Sequence, residues 1–413
     1  MTLARTALLT KSLTLAAYGS VVIVQSLYAF SQSFIGLRSG DVVARYFPVL
    51  EIGGDVEGLR DLLWASLGIA LGVGVVTAGL GFVLAPWLAA TFYHNPALAP
   101  GIRIYAVSAL FASLTTFNLP ILRYRNRYGL LHTWQVLGGA IAVAGLTIYL
   151  LPMAGRSTTV VLGMLALGNT AAALIPFIVA MRLVRREMFV SSPVRFGAKL
   201  RASASEYLAI LFHTNLVGYL KSVFTPGDTF LLGILASPTQ VALYAVATQL
   251  IWPLNTLQNS LTAAVTPEVV TFAAQKRWSE LIRMFKAYVW GVEALGAIAI
   301  LGIVVFGRLV IALVTTPEYY GAWTVAIVLA IAAELVLVQA ATYPVALALN
   351  RVSLFNLALV LGIVAGAIIL VTAGTSAMTM AWVQVAAGAV SLVAFSWPIV
   401  RGMQARRRLQ EAG

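Results

Sequence analysis

The feature that most constrains this chain is a succession of apolar segments, each about as long as a bilayer is thick. A helix rises about 1.5 Å per residue, so about 20 apolar residues cross a hydrocarbon core about 30 Å thick. Only 10% of the residues are charged and 60% are hydrophobic, whereas soluble domains carry roughly 25% charged residues. We therefore predict an all-α integral membrane protein with about eleven transmembrane helices. The predicted spans lie near residues 14–36, 63–89, 104–122, 131–153, 159–181, 207–236, 240–263, 287–313, 321–348, 354–373 and 377–400.

Several function classes are disfavoured by what the sequence lacks. It contains no cysteine, and His94, His132 and His213 are widely scattered, so we expect neither a metal site nor a cofactor. No phosphate-binding loop, zinc-protease or serine-hydrolase motif is present, which argues against an enzyme. The net charge of +13 does not indicate nucleic-acid binding, because the cations lie in short clusters between apolar segments, as membrane topology requires.

The positive charges indicate an orientation. Most of the 27 cations fall in alternate loops, including the linker 182–206, the loop 264–286 and the C-terminus. Lysine and arginine are retained on the cytoplasmic side, so these loops are predicted to face the cytoplasm. The opposite set of loops is short and holds Arg5, Lys11, Arg103, Arg156 and Arg308.

An internal repeat organises the chain. An offset of 224 residues places Pro120 on Pro344 and Asn126-Arg127 on Asn350-Arg351, and an offset of 222 aligns residues 55–59 with 277–281. The repeat predicts two six-helix bundles, residues 1–185 and 206–413, joined by a cytoplasmic linker, 186–205. Transporters built from parallel repeats hold substrate at the repeat interface.

The first bundle is predicted to lack most of one helix. At these offsets residues 1–13 correspond to the end of the first helix of the second bundle. We interpret them as the remainder of a twelfth helix, left by a mis-assigned start or a truncation. The alternative is a short interfacial helix.

Charged residues inside the spans are candidates for a cavity or for ion coupling, because charge at membrane depth costs about 2.5–3.5 kcal/mol on insertion scales. They are Lys221, Asp228, Glu293 and Glu334. Lys221 and Asp228 are seven residues apart and would share one helix face, although Pro226-Gly227 predicts a kink between them. The alternative for each is an ion pair with a neighbouring helix, or snorkelling of the side chain to the membrane interface.

Two further sets of polar residues suggest recognition of a sugar head group. Asn255, Gln258 and Asn259 form a stripe that could bind sugar hydroxyls or, equally, hydrogen-bond a neighbouring helix. Arg38, Arg45 and Arg123 could hold a lipid pyrophosphate together with Lys221, because the arginine fork forms paired hydrogen bonds to phosphate. The alternative for the arginines is a positive-inside anchor.

Several short motifs resemble polysaccharide-unit flippases of the multidrug/oligosaccharidyl-lipid/polysaccharide (MOP) exporter superfamily. They are residues 227–233 (GDTFLLG), 241–247 (VALYAVA), Pro267-Glu268, Tyr18-Gly19, 37–41 (LRSGD) and Arg45-Tyr46. The resemblance implies two six-helix bundles around a central cavity, in a bacterial cytoplasmic membrane. It also implies a substrate of oligosaccharide linked to undecaprenyl pyrophosphate, moved by alternating access and driven by protons or sodium, with membrane lipids and glycan-assembly enzymes as candidate partners.

Two other functions stay open, as does an inactive, truncated or scaffolding homologue that binds glycan-assembly enzymes. A drug or metabolite exporter of the same superfamily would be coupled to cations through Asp228 or Glu334. A membrane polysaccharide polymerase or ligase is disfavoured, because such an enzyme would present a larger outward loop with catalytic residues.

Overall fold

The computed structural model describes residues 2–35, 39–150, 157–189, 215–216, 218–348, 351 and 353–412. These residues are nearly all helical, and no strand occurs among them. The chain divides into two compact units, unit 1 (Met1–Phe230) and unit 2 (Leu231–Gly413). The predicted linker 186–205 lies mostly outside the described residues.

Unit 1 contains nine named helices and a further helical stretch at residues 218–224. The helices are α1 (Thr2–Ser12), α2 (Leu15–Ile35), α3 (Ser39–Ile52), α4 (Val56–Trp87), α5 (Ala99–Ala112), α6 (Thr115–Tyr124), α7 (Tyr128–Leu150), α8 (Thr158–Leu183) and α9 (Arg185–Met188). A π-helical turn, Leu88–Phe92, extends α4, and a 3-10 turn, Pro96–Leu98, leads into α5. Asp55 caps α4, because its side chain accepts a hydrogen bond from the Gly58 N–H at 3.0 Å.

Unit 2 begins with the end of a short helix and continues with five long ones. The helices are α10 (Gly227–Leu235, which starts in unit 1), α11 (Pro238–Ala274), α12 (Trp278–Val314), α13 (Gly321–Ala348), α14 (Ser353–Ala373) and α15 (Ala377–Ala412). A 3-10 turn, Pro317–Tyr319, separates α12 from α13, as Pro96–Leu98 separates α4 from α5.

The structure confirms the predicted all-α membrane fold. Among the described residues, eight stretches are long and apolar enough to cross a bilayer. They are Val56–Phe92, Pro96–Tyr124, His132–Leu150, Thr158–Leu183, Trp278–Val314, Pro317–Gln339, Ser353–Ala373 and Ala377–Arg408. The predicted spans 14–36 and 240–263 coincide with α2 and α11, and span 207–236 is only partly described, so the count of eleven stays a prediction.

Two predicted spans differ from single straight helices. Span 104–122 is divided between α5 and α6 at Ser113 and Leu114. The helix that precedes α10 is interrupted at Thr225 and Pro226, where the kink was predicted. Lys221 and Asp228 therefore do not lie on one uninterrupted helix; Lys221 is exposed and Asp228 is buried.

The repeat seen in the sequence recurs in the backbone hydrogen bonds. Gly54 and Lys276, offset by 222 residues, both adopt left-handed conformations, with φ of 67° and 57°. Beside them, the Asp55 N–H donates to the Leu50 carbonyl at 3.0 Å, and the Arg277 N–H donates to the Phe272 carbonyl at 2.9 Å. In both units the N–H of residue i therefore donates to the carbonyl of residue i−5, the hydrogen bond that ends a helix in a Schellman motif.

A second pair of turns matches at the offset of 224. The Arg127 N–H donates to the Leu122 carbonyl and the Arg351 N–H donates to the Ala346 carbonyl, both at 2.8 Å. The chain ends α6 and α13 in the same way, immediately before α7 and α14 begin. The duplicated pattern therefore extends from residue identity to helix termination.

Candidate functional site

A polar cluster lies inside unit 1, among helices that are otherwise apolar. The Tyr28 hydroxyl on α2 donates to the Ile102 carbonyl on α5 at 2.9 Å. The ring of Tyr105 lies 5.5 Å from that of Tyr28, and its hydroxyl accepts a hydrogen bond from the Asn169 amide of α8 at 2.7 Å. Both tyrosines are buried. Burying such groups is costly unless they are hydrogen-bonded, so the bonds fix the positions of α2, α5 and α8.

The cluster follows one face of α2. Gln25 lies near the Tyr105 hydroxyl, and the Gln32 amide donates to the Ala109 carbonyl at 2.8 Å. Gln25, Tyr28 and Gln32 are spaced by three and four residues, so they share a stripe of the helix. Sequence analysis missed this set, although the spacing of polar residues within an apolar helix is the signal that could have revealed it.

The cluster is associated with a cation. Arg5 on α1 is half-buried and exerts a long-range electrostatic effect on Tyr18 and Tyr105. A guanidinium beside hydroxyl and amide groups suits an anionic or hydroxyl-rich ligand. No group of three or more metal-ligating side chains occurs among the residues that the structure describes.

The segment that carries Lys221 and Asp228 is attached to α2 by stacked aromatic rings. Phe30 stacks on Phe230 with centroids 4.5 Å apart, and Phe34 stacks on Tyr219 at 5.4 Å. These rings lie on a different face of α2 from the polar cluster, because residues 30 and 34 are not in the stripe of residues 25, 28 and 32.

Asp228 is held locally at the start of α10. Its Oδ1 accepts from the Thr229 N–H at 2.5 Å and from the Thr229 hydroxyl at 3.1 Å. Its side chain is 6% exposed. A carboxylate in the first turn of a helix is favoured by the helix dipole, which gives this predicted cavity residue a structural role as well.

The predicted arginines are placed unequally. Arg38 lies outside the described residues, and Arg45 lies on α3, where its side chain is not described. Arg123 is exposed at the end of α6. Lys221 is also exposed, and the grouping of these four residues stays a prediction.

Arg125 links three elements of unit 1, and we call its contacts with Glu51, Glu187 and Phe47 the Arg125 clasp. Arg125 Nη2 lies 2.7 Å from Glu51 Oε1 and 2.8 Å from Glu187 Oε1, and its guanidinium carbon lies 5.6 Å from the centre of the Phe47 ring. The clasp joins the end of α3 and the short helix α9 to the turn after α6. Arg125 therefore has a packing role in unit 1.

The predicted polar residues of unit 2 differ in exposure. Asn255 is exposed on α11, and the side chains of Gln258 and Asn259 are not among those described. Glu293 is exposed on α12. Glu334 on α13 has both carboxylate oxygens buried, with no hydrogen-bond partner among the described residues.

Comparison with solved structures identifies the fold. The chain matches a multidrug resistance MATE family transporter of the MOP superfamily in an inward-facing conformation, with a TM-score of 0.74, 14% identity, and coverage of 98% of this chain and 94% of that one. It matches the lipid II flippase MurJ in an inward closed conformation, with a TM-score of 0.71, 11% identity, and coverage of 98% and 87%. A MOP superfamily transporter from Pyrococcus furiosus matches with a TM-score of 0.63, 17% identity, and coverage of 98% and 92%. The fold is that of MOP superfamily membrane transporters.

The sequence itself places the chain in a family. The family described as "Polysaccharide biosynthesis protein" matches residues 62–289, more than half of the 413-residue chain. The chain belongs to this polysaccharide biosynthesis protein family. No curated protein sequence matches it.

Proposed function

We propose that this protein moves lipid-linked oligosaccharide units across a bacterial cytoplasmic membrane for surface polysaccharide biosynthesis. The substrate is an oligosaccharide on undecaprenyl pyrophosphate, and the chain carries it from the cytoplasmic to the outer leaflet by alternating access. The observation that carries the proposal is the family match over residues 62–289. The C-terminus lies in the cytoplasm, as the distribution of cations indicates.

The chemistry of unit 1 supports this substrate. A flippase lets the lipid tail stay in the bilayer while a hydrophilic head group crosses, so it needs polar contacts rather than a catalytic group. The tyrosines are buried and hold the helices together, so the half-buried amides of Gln25, Gln32 and Asn169 are the groups that would bind sugar hydroxyls, and Arg5 would supply a positive charge for pyrophosphate. The protein therefore acts as a transporter and not as a polymerase or ligase.

Arginines at the cation-rich end provide the entry site in this proposal. Arg123 is exposed there, and Arg38, Arg45 and Lys221 complete the set that meets the pyrophosphate. Asp228 and the stripe of Asn255, Gln258 and Asn259 line the route. Planar guanidinium groups favour pyrophosphate over a neutral or cationic solute.

The second candidate is a cation-coupled exporter of drugs or metabolites. It is favoured by the fold match to the MATE family transporter and by Glu293 and Glu334, two carboxylates at membrane depth in unit 2. A cationic drug would favour acidic groups, whereas the charged residue beside the unit 1 cluster is basic.

The test measures lipid-linked oligosaccharide in cells that lack this gene. The wild-type chain is expected to clear an intermediate that accumulates on the cytoplasmic side. Arg5→Gln is expected to lower clearance at least tenfold, Arg5→Lys to retain part of it, and Lys11→Gln, an exposed cation at the end of the same helix, to match wild type.

The results separate the two functions. Absence of accumulation together with increased drug susceptibility would favour the exporter. Full clearance by an Arg5→Gln variant that reaches normal membrane levels would remove Arg5 from the head-group site.

A further inference from the structure

An apolar groove runs along the outer surface of unit 1 between α4 and α5. Its volume is about 360 Å³. Its walls are formed by aliphatic, glycine and phenylalanine residues of both helices, among them Val75, Gly79, Phe82, Val107 and Leu110. Val75, Phe82 and Val107 are more than half exposed. Because both helices are apolar enough to span a bilayer, this exposed surface faces hydrocarbon rather than water.

The groove is kept open by glycine. A Cβ atom built at Gly79 would meet no atom within 4 Å, so the space beside it is not occupied by the protein. Val75 and Phe82 are seven residues apart on α4, which makes the groove about 10 Å long at 1.5 Å per residue. A slot of this length and polarity fits a segment of one hydrocarbon chain.

An arginine, Arg103, lies at one end of the groove. The Arg103 Nε–H on α5 donates to the Phe82 carbonyl at 3.4 Å, and its guanidinium carbon lies 5.2 Å from the centre of the Phe82 ring. Within the described part of the chain, its two terminal nitrogens have no hydrogen-bond partner. Phe82 therefore belongs both to the wall of the groove and to the support of the arginine.

The order of charge and apolar surface matches a phospholipid. Arg103 lies in the second turn of α5, close to the turn that joins α4 to α5, whereas the groove continues along α5 to Leu110. The cation is thus nearer the membrane interface and the apolar slot is deeper. The terminal N–H groups of an arginine bind phosphate oxygens in pairs.

We propose that this groove binds one anionic phospholipid of the bilayer, with an acyl chain along Gly79 and the phosphate on Arg103. The site takes phosphatidylglycerol in preference to phosphatidylcholine, because the choline cation of the latter offsets the attraction of its phosphate to Arg103. The inference concerns the outer surface of unit 1 and does not rest on the proposed substrate.

Unit 2 offers a matched comparison. Arg308 on α12 lies 5.2 Å from the centre of the Tyr320 ring, also beside a helix-to-helix turn. An arginine that only anchors a helix at the interface would behave as Arg308 does. Comparing the effects of substituting Arg103 and Arg308 on phospholipid binding therefore tests whether the groove contributes to binding.

The experiment uses native mass spectrometry of the full chain in detergent, titrated separately with phosphatidylglycerol and phosphatidylcholine. For wild type we expect phosphatidylglycerol to give at least fivefold more of the singly bound species. Arg103→Gln is expected to abolish that preference, and Arg308→Gln to keep it. Gly79→Leu, which fills the groove, is expected to lower binding of both lipids, while Gly79→Ala keeps most of it.

Three results would overturn the proposal. Unchanged phosphatidylglycerol preference in Arg103→Gln would make the arginine an anchor only, and unchanged binding in a Gly79→Leu variant that unfolds at the wild-type temperature would place the lipid elsewhere. Displacement of phosphatidylglycerol by undecaprenyl pyrophosphate at equal or lower concentration, lost in Arg103→Gln, would assign the groove to the tail of the transported substrate instead.

Discussion

The carboxylate of Glu334 on α13 lies directly against the α-carbon of Gly296 on α12, in the space that a side chain at 296 would need. Small residues let membrane helices approach closely. Here the close approach brings a carboxyl group, and not an apolar side chain, onto the glycine. The contact between the two helices therefore depends on both residues.

Gly296→Ala is expected to destabilise unit 2 by about 1–3 kcal/mol, because the added methyl group overlaps the carboxylate and forces a helix to shift. The midpoint of thermal unfolding in detergent measures the effect. Gly291→Ala on the same helix is the control, since a Cβ there would meet nothing within 4 Å. Addition of Glu334→Ala should restore most of the loss; a double variant as unstable as Gly296→Ala would show that Glu334 is not the obstacle.

Glu334→Gln is expected to raise the unfolding midpoint. The substitution keeps the volume and removes a charge whose oxygens have no partner among the described residues, and a buried charge without a partner is costly. Glu318→Gln, at an exposed position in the turn before α13, should leave the midpoint unchanged. A lower midpoint in Glu334→Gln would mean that the carboxylate of the wild-type protein binds a stabilising group, such as a coupling cation, that the neutral amide does not bind.

Arg125→Ala is expected to cost about 1–2 kcal/mol, as two partly exposed ion pairs and a cation–π contact are lost together. The loss should shrink at high salt, because partly exposed pairs are screened. Arg127→Ala, an exposed cation two residues away, serves as the control. Equal unfolding midpoints for the two variants would exclude the clasp as a stabilising element.

Lys276→Gly and Gly54→Ala are expected to have opposite effects of about 1 kcal/mol each, because only glycine adopts a left-handed conformation without strain. Thermal unfolding should show the lysine substitution to be stabilising and the glycine substitution to be destabilising. Lys286→Gly, in the interior of α12, should be destabilising instead. A stabilising Gly54→Ala would contradict the assigned backbone conformation.

The fold could be predicted because the length of each apolar segment and the prolines that interrupt helices can be recognised from short stretches of sequence. Pro120 and Pro344 mark equivalent places, and Pro226 interrupts a helix where its ring predicts an interruption. The division between α5 and α6 has no such marker, since it occurs without proline or glycine. There the Ser113 and Thr116 hydroxyls bond to nearby backbone carbonyls at 2.7 and 2.8 Å, a local competition that sequence patterns do not decide.

The candidate site was less predictable, since it depends on which helices are neighbours. Glu334 stands out in the sequence as a charge in an apolar span, but Gly296 is one of 34 glycines and gives no sign of facing it. Tyr105 and Asn169 are 64 residues apart and meet only because α5 packs on α8. Contacts between residues remote in sequence cannot be recognised from the sequence alone. A charged residue within an apolar span can be, and most of the residues that we selected from the sequence are of this kind.

The matching left-handed residues Gly54 and Lys276 carry a consequence for how this chain is compared with its relatives. Apolar helices of equal length align in almost any register, because one aliphatic residue substitutes for another. A left-handed residue followed by the hydrogen bond from residue i to residue i−5 fixes one alignment register, whether the left-handed residue is glycine or lysine. Alignments of distant homologues, and of the two halves of one chain, can therefore be anchored on the points where helices stop rather than on the helices themselves.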